Sequence, residues 1–256
     1  MTEHWDFYPL RVDNKPASTF VDLGIAESAP LAHLPHMAYV RLHMNDPRPD
    51  GLSSREEFDA LVRVEDALQQ ALCNEGVGYV GRCTTNACRD FYFYIANAQG
   101  WDARVQQAMD GIDDEYEFSC GTRPDADWSV YFNFLSPGEE DRQCMENRQV
   151  CAALERHGDT LTIAREIDHW AYFSSDERMR AYVAEVATQG FQLRVARDDV
   201  EGERSHCAQV WRIDVPAYDE IDKVTLALFD AARRHDGDYD GWECPVEAEA
   251  QDRSEA

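Results

Sequence analysis

Residues 236–244 read DGDYDGWEC, and this stretch decides how the chain ends. It follows a helical run and is typical of a closing β-strand. The glycine between Asp240 and Trp242 is expected to let another backbone or a large ring approach closely. A tryptophan near the end of a chain buries about 150–250 Å² when it packs, so we expect Trp242 to anchor the strand. Packing alone does not explain the acidic side chains around it.

Working outward from this stretch, the same order of elements is predicted twice. From Met37 to Cys120, and again from Ile163 to Cys244, the hydrophobic periodicity predicts strand, helix, strand, strand, helix, strand. This order is the split βαβ arrangement. We therefore predict an α+β protein of two tandem ferredoxin-like modules, each a four-stranded antiparallel sheet with both helices on one face. The last strand of this topology lies beside the first, which predicts that Trp242 lies near Asp168-His169-Trp170.

Further elements are predicted outside the two repeats. Residues 4–24 favour two strands, Trp128–Leu135 favours one strand, and a helix from Glu139 to about Arg156 is expected to bridge the halves. The predicted organisation is an N-terminal α+β domain (1–135), a connecting helix (136–157), a second domain (158–246) and a disordered acidic tail (247–256).

The charge balance restricts the possible partners. The chain has 50 acidic and 24 basic side chains, a formal net charge of -26. This charge repels phosphate backbones and favours a basic protein segment over direct contact with nucleic acid. The sequence has neither the pattern of a signal peptide nor an apolar run of membrane-spanning length, which predicts a soluble, cytoplasmic protein. Its eight cysteines contain no Cys-x-x-Cys pair, so we expect reduced thiols.

Several short motifs indicate family relationships. In the second half these motifs are Gly158-Asp159, Asp168-His169-Trp170, Phe173, Gly190-Phe191 and Tyr239-Asp240-Gly241-Trp242. Over residues 145–246 the chain resembles the family of the regulator of ribonuclease E activity B. Through Arg89-Asp90-Phe91-Tyr92-Phe93-Tyr94, residues 1–135 resemble the domain of unknown function family 695. The chain departs from the first family at Glu243-Cys244, where Gly-Thr is usual, and at His169-Trp170, where the family has paired histidines.

The first resemblance implies a non-enzymatic protein without cofactor or metal. Members of that family bind the basic scaffold region of ribonuclease E and lower or redirect its activity in RNA processing. The charge of this chain independently favours such a basic partner. The expected partner-binding residues are Asp236, Asp238, Tyr239, Asp240, Trp242, Glu243, Asp168 and His169. A partly exposed Trp242 would offer an anchor or a cation–π face to the partner.

Two other classes of function remain open. One is an enzyme with a site between the two modules around His169 and Tyr239. Neighbouring residues of a strand point to opposite faces, so Asp168 and His169 cannot act together without a group from the next strand. The other is a self-associating protein that pairs an exposed sheet face with a copy of itself. Neither a phosphate-binding loop nor a nucleophile elbow occurs in the sequence.

Three patterns favour structural explanations over chemical ones. His33, His36 and His43 lack further ligands nearby in the sequence and are expected to be surface histidines. Cys83 and Cys88 flank a predicted turn and are expected to be ordinary thiols. The acidic stretches 110–117 and 236–243 lack the spacing of a calcium loop, which favours a solvated acidic surface.

Overall fold

A computed structural model of the chain describes residues 4–198 and 203–247. The chain divides into two compact units, Met1–Gly138 and Glu139–Ala256. Both units combine helices with an antiparallel sheet, so the predicted α+β class is confirmed. From residue 248 onward, the predicted acidic tail lies outside the described residues.

The first unit is built on a six-stranded sheet in the order β1-β2-β4-β5-β3-β6. Its strands are β1 (Trp5–Val12), β2 (Lys15–Asp22), β3 (His36–His43), β4 (Val77–Thr85), β5 (Cys88–Ile95) and β6 (Phe118–Pro124). Its helices are α1 (Arg55–Leu72) and α2 (Trp101–Met109). The Ser54 side chain begins α1 by accepting a hydrogen bond from the backbone N–H of Glu57. Both helices pack with alternate residues of β3, β4 and β5 in one core.

The six-stranded sheet corrects the prediction of four strands. β2 pairs with the outer side of β4, so the β1–β2 hairpin extends the sheet. Gly81 makes this pairing possible, because a Cβ there would lie 2.7 Å from the backbone oxygen of Phe20. Asp13 and Asn14 close the hairpin with φ angles of 50° and 63°, the left-handed conformation that tight hairpin turns require.

The predicted strand Trp128–Leu135 is wrong. Its second part is a π-helical turn, Tyr131–Leu135, and Trp128 has a φ of 55°. The Asp125 carboxylate accepts hydrogen bonds from the backbone N–H groups of Ser129 and Val130, at 2.9 and 3.0 Å. A side chain that binds the backbone in this way stabilises a turn over a strand. The Trp128 ring stacks on Tyr94 with ring centroids 3.9 Å apart.

The second unit has a four-stranded sheet in the order β10-β7-β9-β8. Its elements are α3 (Glu139–Arg156), β7 (Arg165–Phe173), α4 (Asp176–Ala187), β8 (Gln192–Arg197), β9 (His206–Asp214), α5 (Tyr218–Arg234) and β10 (Gly237–Glu243). α4 and α5 pack on one face of the sheet, against Ala171, Phe173 and Val210 among others. The closing strand β10 lies beside β7, and Trp242 stands opposite His169 in the register. The predicted proximity of these two residues is therefore confirmed.

Within the described residues, no helix combines the length and apolar character that crossing a membrane requires.

Candidate functional site

The strand β10 separates its side chains into a buried and an exposed set. Tyr239 and Trp242 are 9% and 7% exposed, whereas the four acidic residues of the stretch are exposed. These exposed residues are Asp236, Asp238, Asp240 and Glu243. β10 is an edge strand that pairs with β7 alone in its sheet. Acidic side chains on an edge strand also discourage pairing with another strand, which is a structural reason for their presence.

Gly241 has a different role from the one expected. A Cβ at this position would have nothing within 4 Å, so close packing does not require the glycine. The backbone does require it, because Gly241 has a φ of 127° beside an irregularity in the pairing of β10 with β7. Asp240 lies in this irregularity between Tyr239 and Gly241. The glycine thus shapes the backbone that presents the Asp240 carboxylate.

Trp242 anchors the end of the fold, as predicted. Its ring packs in a cluster with Leu161, Ile167 and Ile221. Its indole Nε1 donates a 2.9 Å hydrogen bond to Oδ1 of Asn147 on α3. Such an aromatic ring with its N–H satisfied contributes strongly to a core. An exposed anchor or cation–π face is expected only of a partly exposed Trp242, and at 7% exposure the ring does not meet that condition.

Asn147 holds the indole in place and was missed by the sequence analysis. Its Nδ2 donates to Asp222 Oδ1 and to Thr225 Oγ1 on α5, both at 2.7 Å, while its Oδ1 accepts the Trp242 N–H. Asn147 is only 1% exposed, so each of its polar atoms needs such a partner. No sequence spacing could have identified this residue, because its partners lie on other elements far along the chain.

His169 and Tyr239 meet inside the second unit. The Tyr239 hydroxyl lies 2.8 Å from His169 Nδ1, and His169 has no exposed surface. Burial, and then the charge of Arg212, lower the pKa of His169 to about 3, so the ring is neutral at ordinary pH. A partner protein or substrate cannot touch His169 without opening the core. The expected contact of His169 with a partner is therefore replaced by a packing role, whereas Tyr239 also lines a surface pocket with Arg204 and Asp238, and its contact with a partner stays a prediction.

Asp168 lies on the opposite face of the sheet, where a network of polar side chains surrounds it. Its Oδ1 accepts hydrogen bonds from Arg194 Nε at 2.6 Å and from Gln209 Nε2 at 3.0 Å. The Arg194 guanidinium also bonds Glu166 and lies 4.9 Å from the centre of the Trp211 ring. Asp168 and His169 are thus divided between the two faces, as strand geometry predicts.

The acids of residues 236–243 differ in how far other side chains of the protein neutralise them. Asp236 forms an ion pair with Arg178, and Asp238 forms one with Arg204. Among the described residues, Asp240 and Glu243 form neither an ion pair nor a side-chain hydrogen bond. Two acids of β10 are therefore available to an external cation.

Glu146 of α3 adds a third carboxylate beside Asp240. Burial, and then the negative charge of Asp240, raise the pKa of Glu146, and the charge of Arg142 opposes them. Glu243 stands opposite Asp168 in the register, but Asp168 is already in an ion pair. We call Glu146, Asp240 and Glu243 the acidic surface. An arginine or lysine from outside the chain would relieve the repulsion within it.

A buried ion pair fixes the segments that flank the acidic surface. Asp159 accepts two hydrogen bonds from the guanidinium of Arg165, at 2.6 and 2.8 Å, and both side chains are almost wholly buried. Asp159 also accepts from the backbone N–H of Glu247 at 2.8 Å, and Arg165 donates to the carbonyl of Pro245 at 3.1 Å. The pair therefore ties the residues after β10 to the start of β7.

The remaining candidate groups are histidines, cysteines and acids, the residue types that hold metal ions. Within residues 4–198 and 203–247, no cluster of three or more His, Cys, Asp or Glu side chains is arranged to hold a metal ion. Cys83 and Cys88 are free thiols, as are the other six cysteines. His43 Nδ1 lies 3.6 Å from the Cys88 sulfur.

These features define an α+β protein of two units, the second of which presents unneutralised carboxylates on a firmly anchored closing strand. The chain belongs to the family of unknown function DUF695, whose model matches residues 3–136, more than half of the chain. Residues 145–244 match the model of the family described as regulator of ribonuclease activity B. Both resemblances inferred from the sequence are thereby confirmed. A search of curated proteins returned no match to the chain.

Proposed function

We propose that this protein regulates a ribonuclease of the ribonuclease E type by binding a basic segment of that enzyme. The observation that supports the proposal most strongly is the acidic surface, which lies within the part of the chain that matches the ribonuclease regulator family. The protein needs no cofactor and no catalytic residue for this role. It acts by covering arginines or lysines that the ribonuclease uses elsewhere.

The electrostatics of the second unit favour such a partner. The charge of Asp240 raises the pKa of Glu146, so the two carboxylates act on each other, and Glu243 lies exposed further along the strand that carries Asp240. A cationic side chain placed between like charges gains attraction from both. The overall charge of -26 adds long-range attraction for a basic segment and repels RNA. Complementary charge of this kind raises the association rate and makes binding sensitive to salt.

The strand order supports a more specific fold assignment for both units. In each unit a strand-helix-strand-strand-helix-strand series places its last strand beside its first, as in β6 beside β3 and β10 beside β7. We interpret both units as ferredoxin-like modules, the first enlarged by the β1–β2 hairpin. In the second module, α3 lies outside the repeated series and contributes Glu146 and Asn147 next to β10.

The proposal is tested by fluorescence anisotropy with a labelled, arginine-rich scaffold fragment of ribonuclease E and the full chain. We expect binding at low salt and progressive loss of affinity as salt rises to ~0.5 M, because exposed charges are screened beyond about 10 Å at 0.1 M. Absence of binding at low salt, or affinity that does not change with salt, would contradict the proposal.

A pair of variants locates the binding surface. Asp240→Asn/Glu243→Gln removes two charges from the acidic surface, and Glu75→Gln/Asp127→Asn removes two exposed charges from the first unit. We expect the first variant to weaken binding by about 5- to 30-fold, at roughly 0.5–1 kcal/mol for each exposed charge contact. The control variant should bind nearly as the wild type does. Equal losses in both variants would indicate that net charge alone attracts the fragment.

A further inference from the structure

The first unit contains a pocket rich in arginine, which is unusual in so acidic a chain. The pocket has a volume of about 420 Å³ and lies where β2, β4 and β5 meet the start of α1. Three arginines line it, Arg48, Arg82 and Arg89, together with the rings of Phe20 and Phe58. We call it the arginine pocket. Its volume is in the range of pockets that bind small organic molecules.

The extra hairpin of the first unit builds one wall of the arginine pocket. In the sheet register, Phe7 stands beside Phe20 and Phe20 beside Arg82. The next row places Ser18 beside Thr84 and Thr84 beside Arg89. The Arg82 guanidinium lies 4.6 Å from the centre of the Phe20 ring. One row thus supplies apolar surface and the other supplies hydroxyl groups and a cation.

Arg89 is buried and, within the described residues, forms no ion pair with a carboxylate, although the charges of Glu65 and Glu57 act on it from nearby. It is 2% exposed. Its Nε donates to Thr84 Oγ1 at 3.0 Å and its NH2 group to Ser53 Oγ at 3.4 Å, both neutral acceptors. Its NH1 group has no hydrogen-bond partner. A buried cation with an unused donor is costly, so the NH1 group of Arg89 favours the approach of an anion to the pocket.

The nearest carboxylates are already engaged by other groups. Glu65 accepts hydrogen bonds from Arg82 at 2.7 Å and from the Tyr79 hydroxyl at 2.9 Å. Glu57 accepts from the backbone N–H groups of Asn45 and Asp46. Arg48 pairs with Asp50. Burial, and then the charge of Arg82, lower the pKa of Arg89 to about 10, so the side chain remains a cation at neutral pH.

We propose that the arginine pocket binds a small organic oxyanion, a carboxylate or a phosphate on an apolar or aromatic body. The oxyanion lies beside Arg89 and Arg82, within reach of the hydroxyls of Ser53 and Thr84. The apolar body packs on Phe20 and Phe58. Phe58 is 45% exposed in the structure and would be covered by such a ligand. This site belongs to the first unit and does not rest on the proposed regulation of a ribonuclease.

A second pocket of the same unit contains an arginine that, unlike Arg89, is paired with a carboxylate. On the opposite face of the sheet, Arg41 is bonded to Asp90 through Nε and NH2, at 2.7 and 2.6 Å. That guanidinium already has its anion, and the pair is internally neutral. Arg89 immediately precedes Asp90 in the sequence but faces the other side of β5 without a carboxylate of its own.

The experiment is isothermal titration of the full chain with phenyl phosphate, phenylacetate, inorganic phosphate and the neutral benzyl alcohol. We expect phenyl phosphate or phenylacetate to bind, to bind more tightly than inorganic phosphate, and benzyl alcohol not to bind. The first two probes distinguish a phosphate from a carboxylate ligand. Failure of both at millimolar concentration would overturn the proposal, as would equal binding of benzyl alcohol. Equally tight binding of inorganic phosphate would overturn the claim that the ligand has an apolar body.

Two variants of equal charge change complete the test. Arg89→Met removes the buried cation, and Arg123→Met removes an exposed arginine of β6 that lines the opposite pocket. We expect Arg89→Met to lower the affinity by about 10- to 100-fold, because the ligand loses a charged hydrogen-bond donor. Without ligand, the melting temperature of Arg89→Met should equal or exceed that of the wild type. Arg89 forms no ion pair with any residue that the structure describes, so the substitution leaves no buried carboxylate without its partner. Unchanged affinity in Arg89→Met, or an equal loss in Arg123→Met, would overturn the proposal.

Discussion

Replacing Asp159 with asparagine is the perturbation for which the structure gives the largest expected effect on the second unit. Asp159 accepts four N–H groups, two from Arg165 and one each from the backbones of Leu161 and Glu247. Asparagine keeps one oxygen but turns an NH₂ group toward the donors of Arg165. The Arg165 guanidinium, with 5% of its side chain exposed, then becomes a buried cation without an anion.

The magnitude follows from the burial of the pair. Removing one partner of a buried ion pair costs about 3–5 kcal/mol, whereas an exposed pair contributes less than about 1 kcal/mol. Asp168→Asn is the matched control, because Asp168 bonds Arg194 on an open face with 19% and 36% of the side chains exposed. We therefore expect Asp159→Asn to lower the free energy of unfolding of the second unit by about 3–5 kcal/mol and Asp168→Asn to lower it by less than ~1 kcal/mol.

The assay is unfolding in urea, with hydrogen exchange of peptides from β7 and β10 as the readout. Because both strands belong to the second unit, this readout reports on that unit alone. The pH adds an independent check. The guanidinium of Arg165 holds the pKa of Asp159 well below its usual value of 3.8. The carboxylate therefore stabilises the fold above that value, and this stabilisation is lost as the pH falls below it. The reasoning is refuted if Asp159→Asn and Asp168→Asn destabilise these strands equally, or if Asp159→Asn leaves the acid sensitivity unchanged.

Three further predictions concern the core and the thiols. The pKa of His169 is lowered from 6.5 to about 3, so between these pH values the unfolded chain binds more protons than the folded chain, and the free energy of unfolding rises with pH. His169→Gln should reduce the slope of the free energy of unfolding against pH by up to about 1.4 kcal/mol per pH unit. An unchanged slope would exclude His169 as its source. Asn147→Leu leaves the N–H of Trp242 unpaired and should lower the free energy of unfolding by about 1–3 kcal/mol in a urea titration, and an unchanged free energy of unfolding would contradict the role of Asn147. Burial raises the pKa of every cysteine thiol, that of Cys151 to about 12. The folded chain should therefore react with a thiol reagent at pH 7.5 far more slowly than the chain in denaturant. Equal reaction rates would contradict the burial of the thiols.

The repeated order of elements and the closing strand could be predicted from the sequence. Hydrophobic periodicity distinguishes strands from helices, and a glycine beside a tryptophan near the end of a domain indicates a packed strand. The position of Trp242 opposite His169 followed from topology alone. These predictions succeed because each depends on local patterns or on a rule that connects consecutive elements.

Other features depend on contacts that no local pattern contains. The alternation in Trp128–Leu135 fits a strand as well as a turn, and Asp125 decides between them through its hydrogen bonds to the backbone. The full burial of His169 places its ring out of reach of a partner. The role of Glu146 arises only because α3 and β10 are neighbours. Sequence reasoning located the acidic strand but could not divide it into neutralised and available carboxylates.

The central claim is that the acidic surface of Glu146, Asp240 and Glu243 regulates a ribonuclease. The most direct measurement is the rate at which ribonuclease E cleaves a structured RNA in the presence of the wild-type chain, Asp240→Asn/Glu243→Gln and Glu75→Gln/Asp127→Asn. We expect the wild type and Glu75→Gln/Asp127→Asn to change the rate equally, and Asp240→Asn/Glu243→Gln to need about 5- to 30-fold more protein for the same effect. If the wild type leaves the rate unchanged, or if both variants act like the wild type, the acidic surface is not the regulatory site.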